Sequence, residues 1–189
     1  MDEQTKKRIL MDDKIRREVL LAEHRRYGEQ VGMIFGATEV KGSWWYSGSM
    51  VKKEKRESYS KGMGDDAVWG AKKAKMSGYS ESFTCKIPID KAFERTLDSI
   101  PKMPGGGVGG KSSIGVILES AIGPKEAALA AVVGSGWSDM NFVVINMLFS
   151  AIDANNTKIQ LTASAKESRI PFFNQKSSQK AAKRIIDTF

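Results

Sequence analysis

Cysteine and histidine are almost missing from this sequence, which has one of each in 189 residues, Cys85 and His24. A single cysteine excludes an intrachain disulfide. One Cys and one His also cannot build the clustered ligand sets that hold structural or catalytic zinc, so no metal site is expected. His24 stands beside Arg25 and Arg26, with no neighbouring serine or cysteine to activate. Nucleophilic catalysis therefore has no visible nucleophile and base, and no catalytic residue is assigned. Long apolar runs are lacking too. The longest, Asn141 to Ile152, has the length of a core element and is too short to span a bilayer. The opening Met1-Asp2-Glu3-Gln4 has no basic region followed by an apolar stretch, so no secretory signal is expected. These absences lead us to expect a cytoplasmic protein without a cofactor.

What is present is ordinary in amount and uneven in placement. Apolar residues make up 41% and charged residues 28%, as in globular chains. The formal net charge is +8, from 30 basic and 22 acidic side chains. Such a balance attracts polyanions and anionic surfaces without dictating fold. Residues 41–80 hold much of the excess, and the apolar half lies further on.

Residues 3–27 read as one amphipathic helix, with Met11, Ile15, Val19 and Ala22 at helical spacing. Residues 28–50 read as a short strand or loop ending in the aromatic cluster Trp44, Trp45 and Tyr46. Residues 51–62 read as a polar, basic loop, and 65–76 as a short helix. From residue 80 the pattern sharpens. Phe83, Cys85 and Ile87 alternate with polar residues as a strand, with Cys85 facing the core. Asp90 can cap a helix over 91–100. Ile114 to Leu118 reads as a strand or short helix. Gly123-Pro124 suggests the start of an alanine-rich helix reaching Val133. Phe142 to Ile152 fits a buried strand or a buried helix, and the valines and isoleucine at its start favour the strand. Asp153-Ala154-Asn155-Asn156 is turn chemistry and joins it to an alternating strand over Ile159–Ala165. Ser177 to Phe189 closes the chain as a helix. The expected architecture is α+β: a small, mainly antiparallel sheet covered by helices, preceded by an N-terminal amphipathic helix and basic extension. The expected division is 1–79 for the extension and 80–189 for the α+β domain.

Two constellations carry chemistry. Residues 105–112, Gly105-Gly106-Gly107-Val108-Gly109-Gly110-Lys111-Ser112, fit G-x-x-x-x-G-K-S. In that pattern backbone N–H groups surround phosphate oxygens, the lysine reaches the terminal phosphates and the serine holds magnesium. By Gly105, Gly110, Lys111 and Ser112 the segment resembles the Walker A motif of nucleotide-hydrolysing proteins. Pro101 and Pro104 before it speak against a central strand, and Gly115 lies inside the first turns of a helix that should begin at Lys111. A flexible glycine-rich connection is the preferred reading. The second constellation interleaves rings and cations: Trp44, Trp45, Tyr46, Lys52, Lys53, Lys55 and Arg56. Rings that stack on bases and cations that pair with phosphates hold single strands. The same rings equally suit a protein interface.

The leading expectation is a non-catalytic protein-interaction module, a subunit of a larger assembly, with protein partners or further copies of itself. Nucleotide binding through the phosphate loop and single-stranded nucleic-acid binding through the basic arm stand as alternatives.

Overall fold

A computed structural model describes residues 1–42, 49–106, 114–136, 139, 141–167 and 176–189; within these, the side chains of 32, 34–42, 49–56 and 59 are outside the description. The chain divides into two compact units, one of residues 1–20 and 75–189, the other of residues 21–74. Residues 1–20, expected with the basic extension, therefore cluster with the sheet.

The sheet unit is built on five antiparallel strands: β1 (Lys75–Cys85), β2 (Val116–Ile122), β3 (Glu126–Ser135), β4 (Asn141–Ala151) and β5 (Thr157–Glu167). Their order across the sheet is β1-β5-β4-β3-β2. An antiparallel sheet with helices is the expected class. Its longest closure pairs Lys75 with Glu167 and Cys85 with Thr157. The expected hairpin joins β4 to β5, with Phe149 opposite Ile159 and Met147 opposite Leu161. Asp153 fixes its turn by accepting from the Asn155 N–H at 2.8 Å and from Asn156 Nδ2. These bonds hold the Asp153 carboxyl below its ordinary range.

One sheet face carries the main core. Leu129, Ala131, Val133, Val143, Ile145, Met147, Phe149, Ile159, Leu161 and Cys85 pack there with α4 (Ile89–Ser99), the 3-10 turn Ile100–Lys102 and α5 (Ser177–Ile186). Phe93 of α4 meets Phe149 edge to face, with centroids 5.5 Å apart, a geometry suited to ring quadrupoles. Ala181, Ala182 and Ile185 form the buried stripe of α5. The cap of α4 differs from expectation: Pro88 is its N-cap residue, without a side-chain bond.

The opposite face is covered at β3 and β4 by α1 (Glu3–Leu10). Ile9 packs with Ala128 and Ala130. The buried Asn146 of β4 donates to the Ile9 carbonyl at 2.8 Å. Lys6 pairs with Glu126 at 2.8 Å, and Arg8 pairs with Glu119.

Three expectations are corrected. The single helix over 3–27 is two, α1 and α2 (Asp13–Gly42), parted at Met11, whose φ is 43. The break has local causes. Asp2 caps α1 through the Thr5 N–H, Asp12 accepts from the Ile15 N–H at 2.8 Å, and Arg16 Nη1 reaches the Met11 carbonyl at 2.9 Å. The expected stripe is also displaced: Ile9 and Leu20 are buried, whereas Ile15 is exposed. Second, the stretch read as strand and loop between 28 and 62 is helical wherever it is described, in α2 and in α3 (Ser49–Lys73). In the helical unit these helices run antiparallel, with Arg25 on Asp65 at 2.8 Å and Ser60 Oγ donating to the Glu29 carbonyl at 3.0 Å. A Cβ on Gly28 would come within 2.3 Å of the Met63 carbonyl oxygen, so glycine permits the approach. Third, the alanine-rich stretch up to Val133 is no helix. It is strand β3, buried on both faces and paired on both sides. Double-sided pairing and burial outweigh alanine's helix preference, which is about 0.7 kcal/mol or less per residue over ordinary residues.

Candidate interaction surface

The sheet has two edges, and their exposed side chains differ in kind. On β1, Lys75, Gly78, Ser80, Ser82 and Thr84 are exposed, and none of them carries an apolar side chain. Polar and charged side chains are how sheets discourage further pairing at an edge. On β2 the exposed residues are mainly apolar. Val116 is 43% exposed, Leu118 39% and Ile122 51%, and Ile114 just before the strand is 62% exposed. Ser120 is the polar exception.

The pairing with β3 explains this arrangement. Ile117 lies opposite Ala131 and turns toward the core, and Ala121 lies opposite Ala128 beneath α1. Between Ile117 and Glu119 the register slips at a bulge, which leaves Leu118 unpaired. Glu119, paired with Arg8, is the charged residue of the strand and is already engaged.

The residues singled out from the sequence fall elsewhere. Gly105 is buried, and a Cβ there would lie 2.1 Å from the Ile114 carbonyl oxygen. Close backbone packing therefore accounts for it. Pro104 and Ile114 form an antiparallel bridge, so the chain leaves and returns at one place. A 3-10 turn precedes the segment and strand β2 follows it, where the phosphate-loop motif uses a strand and then a helix. Gly110, Lys111 and Ser112 lie outside the described residues, as do Trp44, Trp45 and Tyr46. Lys52, Lys53, Lys55 and Arg56 fall on the α3 backbone, and their side chains are outside the description. Further along α3, Trp69 is 62% exposed with Lys73 Nζ over its ring, 3.4 Å from the centroid.

Two other titratable groups, Cys85 and Lys166, are buried. Cys85 is buried, its Sγ lies 3.6 Å from the Thr157 carbonyl, and burial pushes its thiol above the ordinary range. Lys166 in β5 is 4% exposed; desolvation disfavours its charged ammonium and lowers its pKa, and Arg17 adds repulsion. Among the described residues no group of three His, Cys, Asp or Glu side chains could hold a metal ion, and no helix is long and apolar enough to cross a membrane. Sequence reasoning missed the β2 edge. The apolar run from Ile114 to Leu118 reads as a strand or short helix, but an edge position is set by pairing partners distant in sequence.

No family model matches this chain, and no curated protein matches it either. Solved structures give partial likenesses. A conserved protein from Geobacillus kaustophilus is 14% identical with a TM-score of 0.38, covering 59% of this chain and 89% of its own. The ZhuI aromatase/cyclase from Streptomyces sp. R1128 is 14% identical with a TM-score of 0.32, covering 60% and 88%. Ara h 8.0201 is 16% identical with a TM-score of 0.36, covering 60% and 95%. Likeness at this level carries no argument about what the chain does.

Proposed function

We propose that this chain is a non-catalytic protein-interaction module, a subunit of a larger assembly, which engages its partner along β2. The observation that carries the reading is the contrast between the sheet's two edges, polar on β1 and apolar on β2. An edge strand offers unpaired backbone donors and acceptors, and an added strand meets them while side-chain contacts set specificity. Val116, Leu118 and Ile122 supply those contacts. Removing apolar surface from water contributes about 25 cal/mol per Å², so a few such residues anchor a docked strand.

The test is photocrosslinking in the cells that make the protein, with the reactive side chain at Leu118 or, as a control, at Asp98 on the exposed side of α4. A discrete heavier adduct from Leu118, absent from Asp98, is expected. Val116→Lys combined with a crosslinker at Ile122 should abolish the adduct while shifting stability by no more than about 0.5 kcal/mol, as surface changes do. Equal yields from both positions, or no adduct from either, would refute the reading.

A further inference from the structure

Charge is distributed unequally between the two helices that cover the main core. On α4 the exposed residues are Asp90, Lys91, Glu94, Arg95 and Asp98, both signs together, and Lys91 pairs with Glu94 at 2.8 Å. On α5 only one sign is exposed. Its outward residues are Gln179, Lys180, Lys183 and Arg184, and Lys176 is exposed just before it. The sequence holds no acid from Ser168 to Ile186. Asp187 follows the helix, and Asp139 from outside it holds Arg184 at 2.6 Å.

Folding explains part of this row. Cations in the last turn suit the helix dipole, which accounts for Lys183 and Arg184. The same dipole opposes Lys176 and Lys180 near the start. Like charges four residues apart also destabilise a helix, and Lys180 stands so from both Lys176 and Arg184. Lys176 has a φ of 51 and makes no cap bond, where glycine or asparagine would serve the backbone better. Nothing within the helix accounts for a lysine there; an anion outside it does. Lys176, Lys180 and Lys183 follow one flank and span about 10 Å at 1.5 Å per residue.

The other side of the helix decides the kind of anion. An amphipathic helix lies on a membrane by immersing its apolar face. In α5 that face, Ala181, Ala182 and Ile185, is buried in the main core. Sites for single strands add stacking rings to cations, and α5 exposes no ring. A row of cations alone fits the closely spaced phosphates of a duplex. We propose that the outward flank of α5, through the side chains of Lys176, Lys180 and Lys183, docks on the phosphate backbone of a nucleic-acid duplex. Contacts of this kind fix position without reading sequence. This surface is separate from the β2 edge and does not rest on it.

The experiment follows the anisotropy of a fluorescent DNA duplex of mixed sequence as the full chain is added, in salt from about 50 to 200 mM. Saturable binding is expected, with log K falling against log salt at a slope of about −3, near one released counterion per lysine. Lys183→Gln should weaken binding for every duplex sequence and flatten the slope by about 1. Lys176→Asn keeps a residue that tolerates a positive φ; it should flatten the slope equally and leave the melting temperature unchanged. Lys158 is exposed on the opposite face of the sheet, next to the inward Ile159. Lys158→Gln removes the same charge and should leave slope and affinity as they were. Duplex RNA is titrated in parallel, and the duplex that binds tighter while responding to Lys183→Gln is the source of the phosphates. Tighter binding to the separated single strand, or binding to phosphatidylserine vesicles without binding to either duplex, would overturn the proposal. So would equal losses in Lys158→Gln and Lys183→Gln, which would mean that net charge alone attracts the duplex, or no duplex binding at the lowest salt.

Discussion

At the scale of single residues, several glycines and one thiol are decided by what surrounds them. A Cβ on Gly134 would lie 2.3 Å from the Gly106 nitrogen and 2.4 Å from the Asp139 carbonyl oxygen. Both are backbone atoms and cannot swing aside. Gly134→Ala should therefore destabilise the sheet unit by about 1–3 kcal/mol, the cost of overpacking, as read by urea denaturation. Cys85 makes a prediction about pH. Burial raises its thiol's pKa in the folded state. Its contribution to stability is then fully present below the unfolded value, about 8.5, and is lost as pH rises through the folded one. Thermal unfolding should show a decline above pH 8.5 that Cys85→Ala reduces; an identical decline in the variant would refute it. The core position of Cys85 and the turn at Asp153 were legible in the sequence, since alternation and turn chemistry are local. The crowding at Gly134 was not, because Gly106 approaches it from another part of the chain.

Elements were legible where their cause lay within them. The strands β4 and β5, their hairpin and the closing helix follow from run length, alternation and an apolar stripe. β3 was misread because its alanines and the preceding Gly123-Pro124 imitate a helix start, and only pairing with β2 and β4 makes it a strand. Its small side chains serve the sheet's second face: Ala128 and Ala130 leave room for Ile9 of α1. Ala130→Leu should displace α1 and lower stability by about 1–3 kcal/mol, as overpacking does. Deleting residues 1–10 should bare the same face and bind a hydrophobic dye that the whole chain leaves unbound. An unchanged melting temperature and no dye binding would mean that α1 is dispensable. The break between α1 and α2 was also written locally, in Asp12 and Arg16, but a continuous apolar spacing masked it.

At the scale of the whole molecule, the class of fold was readable and its closure was not. Among the described residues, strand β1 comes first and pairs with β5, the last, so Lys75 must find Glu167. Contacts so distant in sequence require large loops to close before any reward, which slows folding. Stopped-flow refolding should accordingly give a main phase of milliseconds to seconds. A microsecond main phase would show that β1 is not part of the limiting step. The candidate surface belongs to this scale as well. Which strand ends up outermost depends on the order of all five, and no window of sequence contains that order.

If β2 docks a partner as proposed, the unlike borders of the sheet would also limit how far such an assembly grows. A slab that accepts a neighbour along one side and repels it along the other can be joined once and then has no further place to add. Two copies meeting through β2 would present β1 outward at both ends, with Lys75 and the serines facing water. Such a union would be finite, and a fibre would require a change at the other edge, at β1.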